Sequence, residues 1–92
     1  MRKITREIVA AFMKRETRGI GNSYTDGTTL YLHGNPIARH RCIGVIEIST
    51  AGWNTPTTRE RLNGLPGVKV YVRNHQLYLN DRPWDGKWTE VR

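Results

Sequence analysis

Residues 68–80 read V-K-V-Y-V-R-N-H-Q-L-Y-L-N, and whether they pair with themselves decides what kind of sheet the chain builds. β-Branched and aromatic residues recur at period two on either side of Asn74-His75, the pattern of two half-buried strands. With Asn74-His75 as a two-residue turn, Val72 faces Leu77, Tyr71 faces Tyr78 and Val70 faces Leu79. The apolar pairs then fall together on one face, which a slip of one residue would undo. The other face collects Lys69, Tyr71, Arg73 and Tyr78. A hairpin is therefore expected, with strands over 68–73 and 76–80.

Upstream lies A-G-W-N-T-P-T-T-R-E-R-L-N-G-L-P-G, residues 51–67. Thr57 followed three residues later by Glu60 has the spacing of a capping box, in which each side chain satisfies a backbone N–H at the helix start. Thr55-Pro56 is a competing start, with Pro at the first helical position where its missing donor costs nothing. From either start, Asn63-Gly64 ends the helix after about two turns. Only Leu62 and Leu65 anchor it, so it reads as a connector. The same atoms suggest a phosphate site at Thr57, Thr58 and Arg59, since helix N-termini attract anions. Capping explains these residues without a ligand and is the simpler reading. Trp53, at the end of a strand, is expected as a lid on the core rather than as a stacking platform.

Farther upstream, residues 23–25 and 28–32 flank Asp26-Gly27, the signature of a two-residue hairpin turn. His33-Gly34-Asn35-Pro36 marks a second turn before a strand over 37–41, and residues 43–49 form a β-branched run read as an inner strand. Residues 3–17 have helical periodicity, with Ile4, Ile8, Val9, Ala11 and Phe12 on one arc of the wheel. Arg2, Lys3, Arg6, Glu7, Ala10 and Lys14 take the opposite arc. Residues 18–22 (R-G-I-G-N) are expected to stop this helix. Basic residues at its last turn suit the helix dipole, whereas Arg2 and Lys3 stand at the wrong end for it. At the C-terminal end, Trp84 and Trp88 are expected to cover the core margin.

The sum is one α+β domain over residues 1–92. An N-terminal amphipathic helix packs on a twisted antiparallel sheet of about five to six strands, with one short connecting helix. The tight turns indicate a meander, and a partly closed small barrel is the alternative. Ninety-two residues bury roughly 60–65% of their unfolded surface, enough for a thin core. No run of apolar residues is long enough to span a membrane, and the charged N-terminus does not fit a secretory signal. The single cysteine, Cys42, can form no internal disulfide, which fits a reducing compartment.

The net charge is +7, and it is unevenly placed. Residues 1–18 carry six basic and two acidic side chains, residues 19–56 two of each, and residues 57–92 seven basic and four acidic. Both ends are therefore positive and the middle neutral. A basic surface raises affinity for any polyanion, although charge of this size also serves solubility.

The order I-T-R-E-I-V-A-A-F, Y-L-H-G-N-P-I-A, A-G-W-N-T-P-T-T-R-E-R-L-N-G-L-P-G-V and L-Y-L-N-x-x-P-W-D-G-K-W resembles a family of small uncharacterised phage-encoded proteins over nearly the whole length. The Gly-Trp-Asn-Thr-x-Thr-Thr-x-x-Arg-Leu-Asn block is its most specific part. The resemblance implies a phage product made in the host cytoplasm, and it carries no activity and no catalytic residue.

Two functions from different classes follow from the residues. Nucleic-acid binding, to single strands or duplex, is favoured by the alternation of cation and ring at Lys69, Tyr71, Arg73 and Tyr78, with Arg59 and Arg61 added from the short helix. The RNP-type signature and Arg/Gly-rich tracts are absent, and a plain cross-strand tyrosine pair or a face hidden beneath the N-terminal helix is the simpler account. Binding of an acidic host protein, or self-association as a homodimer through a strand edge, is the alternative. An enzyme is not expected. His40 and Cys42 share a strand face but have no third orienting group. His33, His40, Cys42 and His75 lack metal-ligand spacing, and Asp26, Asp81 and Asp85 sit in turns where Asp bonds the local backbone. Gly19-x-Gly21 follows a helix where a phosphate loop needs a strand. No cofactor and no metal are implied.

Overall fold

A computed structural model describes residues 2–91. The chain begins with helix α1 (Lys3–Met13) and continues through strands β1 (Thr17–Ile20), β2 (Ser23–Asp26), β3 (Thr29–Leu32), β4 (Asn35–Cys42) and β5 (Val45–Ile48). Helix α2 (Pro56–Leu62) follows, then β6 (Val70–Arg73), β7 (Gln76–Leu79), β8 (Arg82–Pro83) and β9 (Thr89–Val91). The α+β class and the meander are as expected, but the strands divide between two sheets. One has six strands in the order β1-β2-β3-β4-β5-β9, the other three in the order β6-β7-β8. Neither closes into a barrel. At the division, β9 returns to pair with β5 (Ile46 opposite Val91, Ile48 opposite Thr89) and forms the edge of the larger sheet, while β6 pairs only with β7.

The residue 68–80 hairpin has the expected register: Val70 opposite Leu79, Tyr71 opposite Tyr78, Val72 opposite Leu77. Asn74 and His75 both have positive φ, 52° and 66°, the backbone of the turn type whose twist matches that of paired strands. Asn80-Asp81 repeats the device at φ 50° and 68° and leads into β8.

Helix α1 is shorter than its periodicity suggests. It ends at Met13, and Arg15 turns the chain at φ 58°. Thr17–Ile20 then pairs with β2, so a segment read as helix end is a strand. The backbone N–H groups of this tail gain partners in a neighbouring strand, which helical periodicity cannot register. The first hairpin is also displaced by one residue. Asp26 belongs to β2 opposite Thr17, and its carboxylate accepts from the N–H groups of Thr28 and Thr29 at 2.9 and 2.8 Å. The corner is therefore Gly27-Thr28. These two bonds hold the Asp26 carboxyl below its usual pKa.

The core lies between the inner face of the six-stranded sheet and the helices. Ile8, Val9 and Phe12 of α1 meet Leu30, Leu32, Ile37, Ala38 and Ile48, with Leu62, Leu65 and Val70 closing the far side. A bulge between β3 and β4 lets consecutive residues Ile37 and Ala38 both be buried, as an extra residue re-aims a strand. Helix α2 touches α1, β4 and β6 and so links the two sheets. Its C-terminal Asn63 binds the Val70 backbone twice, accepting from N–H at 2.6 Å and donating to the carbonyl at 2.9 Å. Trp84 is buried as expected and donates Nε1–H to Thr89 Oγ1 at 2.8 Å. Trp88 is half-buried, with the Arg39 guanidinium 3.9 Å from its ring centroid.

Candidate functional site

One residue of the expected basic–aromatic set changes role. Arg61 is only 2% exposed. Its guanidinium donates to Ser23 Oγ at 3.0 Å, Thr5 Oγ1 at 2.7 Å and Glu60 Oε1 at 2.8 Å. It is an internal clasp joining α1, α2 and β2, and it is closed to any phosphate. Glu60 also accepts from Thr5 Oγ1, so it does not fold back to form the capping box with Thr57. The helix starts at Thr55, whose Oγ1 accepts from Thr58 N at 3.1 Å, with Pro56 in the first turn. Thr58 is buried and its hydroxyl is 2.9 Å from that of Thr55. The phosphate cradle expected at Thr57, Thr58 and Arg59 is therefore closed at Thr58, leaving Thr57 half-buried and Arg59 as a surface cation. Arg59 Nη1 is held against the Asn54 side chain at 2.7 Å.

Lys69, Tyr71, Arg73 and Tyr78 do come together, on the outer face of the three-stranded sheet. Alternation from the buried Val70 sends Lys69, Tyr71 and Arg73 outward. The two rings stack at 5.2 Å between centroids and 13° between planes. Helix α1 packs on β1, β2 and β3 of the other sheet, so it does not cover this face, and both tyrosines stay half-exposed. Lys69 Nζ lies 5.3 Å from the Tyr71 ring centroid. Asp81 organises the patch by accepting from Tyr71 Oη at 2.9 Å and Lys69 Nζ at 3.3 Å. The Tyr71 hydroxyl and then Lys69 hold its carboxyl below the usual range, and the same hydrogen bond pushes the Tyr71 hydroxyl up. The face thus carries two cations, one acid and two stacked rings.

A second feature escaped sequence reasoning. Trp53 is 60% exposed, so it is no lid on the core. It forms one lip of a cleft of about 380 Å³ lined by Leu32, His33, Asn35, Ile37, Thr50 and Thr57 among others. Two of its lining residues sit at tight turns: His33 shares one with Gly34 (φ 52° and 79°), and Trp53 directly follows Ala51-Gly52 (φ 54° and 83°). The His33-Gly34 turn is visible in the sequence, but nothing there says that it shares a cleft with Trp53. Residues 1–90 match the sequence model of the Kyanoviridae Gp96 protein family. The chain belongs to that family. Gp96 is a family of phage proteins, as the resemblance implied, and the match covers both the stacked tyrosines and the Trp53 cleft. Among curated proteins and solved structures, nothing matches the chain.

The remaining candidates for chemistry in this Gp96 chain are dispersed. His40 stacks on Phe12 at 4.3 Å and donates Nε2–H to the Phe12 carbonyl at 2.8 Å, which closes the end of α1. Cys42 is free and exposed, and a bulge separates it in register from His40. Among the described residues, no group of three or more His, Cys, Asp or Glu side chains could hold a metal ion. No helix among them is long and apolar enough to cross a membrane.

Proposed function

We propose that this phage protein is a non-enzymatic binder of single-stranded nucleic acid, acting in the host cytoplasm through the outer face of its three-stranded sheet. The observation that carries the reading is the half-exposed, near-parallel Tyr71–Tyr78 stack flanked by Lys69 and Arg73. Half-exposed rings meet unstacked bases while the cations meet phosphates, and every base has a π-face to offer. Arg59 and the positive chain ends add long-range attraction. A duplex keeps its bases stacked inside and leaves the rings without partners, so a single strand is the better match.

The test is a salt titration of binding to labelled single-stranded and duplex oligonucleotides. Expected are tighter binding of the single strand, a linear fall of log K with log salt, and a loss of about 1–3 kcal/mol per base contact on Tyr71→Ala or Tyr78→Ala. Equal binding of duplex and single strand, unaffected by both substitutions, overturns the reading. A second reading is docking of a partner protein, favoured by Ile43, 96% exposed at the tip between β4 and β5 beside a cleft lined by Met13, Ile46, Leu65 and Val91. Under that reading Ile43→Asp removes self-association or capture of an acidic host protein and leaves oligonucleotide binding intact.

A further inference from the structure

The Trp53 cleft is built differently from the rest of the surface. Its floor is apolar, since Leu32 and Ile37 are buried. Its rim holds three polar side chains, the His33 imidazole, the Asn35 amide and the Thr57 hydroxyl, none of which hydrogen-bonds another described residue. By contrast Thr55 and Thr58 on the same wall bond each other. Trp53 keeps most of its surface in water, although its backbone is fixed on both sides: its N–H donates to Thr50 O at 2.8 Å and its carbonyl accepts from Thr55 N at 3.0 Å. The ring is therefore carried on an ordered segment. Ala51, two residues before it, has φ 54°, a left-handed conformation that non-glycine residues adopt at a cost.

Among the described residues, no carboxylate lines the cleft. Arg59, the residue after the lining Thr58, is held by Asn54, the residue after Trp53, with Nη1 on Asn54 Oδ1 at 2.7 Å and on Asn54 O at 3.3 Å. The volume lies at the bottom of the range for ligand pockets, roughly 300–1,000 Å³. An exposed ring for stacking, an amide offering donor and acceptor together, and a cation one residue beyond the lining Thr58 match one flat heterocycle joined to an anionic backbone.

We infer that this cleft receives a single nucleobase, stacked on Trp53, read at its edge by Asn35, His33 and Thr57, with the attached phosphate against Arg59. The choice of a nucleobase over another planar ligand rests on the nucleic-acid reading, but the site is separate from the tyrosine face.

The experiment is an NMR titration of the full chain with uncharged nucleosides (adenosine, guanosine, cytidine and uridine), followed by a short single-stranded oligonucleotide. Saturable shifts of the Trp53 indole N–H and the Asn35 side-chain amide are expected, with the buried Trp84 indole unmoved. Trp53→Ala should weaken nucleoside binding at least about tenfold, the loss of one stacking contact. Trp53→Phe should retain most of it, and Asn35→Ala should flatten the preference among the four bases. Shifts that never saturate, or that fall outside the cleft, overturn the inference. If oligonucleotides bind the Tyr71–Tyr78 face without disturbing Trp53, the cleft reading fails alone. If nucleosides saturate Trp53 while oligonucleotides show no salt-dependent binding, the nucleic-acid function fails and the cleft stands as a nucleoside site.

Discussion

Two arginines, two positions apart on α2, show how far neighbours of one chemistry diverge. Arg59 lies at the surface against Asn54. Arg61 is enclosed by Thr5, Ser23, Asn22 and Glu60, with a planar fork that lysine cannot reproduce. Removing one partner of a buried pair costs about 3–5 kcal/mol. Glu60 keeps 27% of its side chain exposed, so Arg61→Ala is expected near the low end, and chemical denaturation should read it as a lower midpoint at unchanged slope. Gly64 is held by a close approach. A Cβ there would stand 2.6 Å from Thr5 Cγ2 and 3.0 Å from Val9 Cγ2, so Gly64→Ala should cost about 1–3 kcal/mol by overpacking α1 against α2. Asp81 offers the opposite outcome. Asp81→Asn removes the one acid on the tyrosine face, and oligonucleotide binding should tighten, with a salt slope steeper by about 0.7, the value of one more phosphate contact on a single strand. Unchanged affinity and slope would mean that the face does not meet phosphates.

At the scale of elements, α1 carries its charge against its own stability. Its first turn holds no acidic residue and its N-cap Arg2 makes no side-chain bond, while Arg2 and Lys3 oppose the dipole. Lys3→Glu should therefore stabilise the protein by about 0.5–1 kcal/mol, a rise in Tm of several degrees for a domain of this size. If the positive end of the chain attracts polyanions, the same variant binds oligonucleotide more weakly, and calorimetry with a binding titration separates the two effects. The β8–β9 connection depends on Trp84, and Trp84→Ala should cost about 3–5 kcal/mol. The register and turn of the hairpin over 68–80 were legible because both are local, although its strands are shorter than expected, Val70–Arg73 and Gln76–Leu79. The end of α1 was not. Residues 14–17 continue a helical pattern, and only the presence of β2 makes the strand the better home for their backbone.

For the whole molecule, pH tests the electrostatics. Glu47 bridges Arg39 at 2.8 Å and Arg41 at 3.0 Å, and the Arg39 hydrogen bond first, then that of Arg41, holds its carboxyl below the usual range. Asp26 and Asp81 are lowered as well. A carboxyl whose folded pKa is depressed contributes stability that is fully present above its unfolded pKa, about 3.9 for Asp and 4.3 for Glu, and is lost as pH falls through the folded value. Thermal stability should thus hold near neutral pH and decline below about pH 4. Glu47→Gln should flatten that decline, and a profile unchanged by it would show that the bridge contributes nothing to folding.

The sequence by itself determined the α+β class, the Asn74-His75 turn, the register of the last hairpin, the pairing of its tyrosines and the phage family. Each of these rests on neighbours within a few residues or on the order of motifs along the chain. Tertiary structure alone decided that the strands form two sheets, that Arg61 is buried while Arg59 is not, and that Trp53 stands beside a cleft while Trp84 closes the core. The physical reason is that burial depends on what a side chain meets across the fold. Arg61 finds Ser23 and Thr5, 38 and 56 residues away, and β5 finds β9 across the whole of α2 and the smaller sheet. Local propensity does not encode such meetings, because they are settled when the apolar faces of distant segments compete for the same interior.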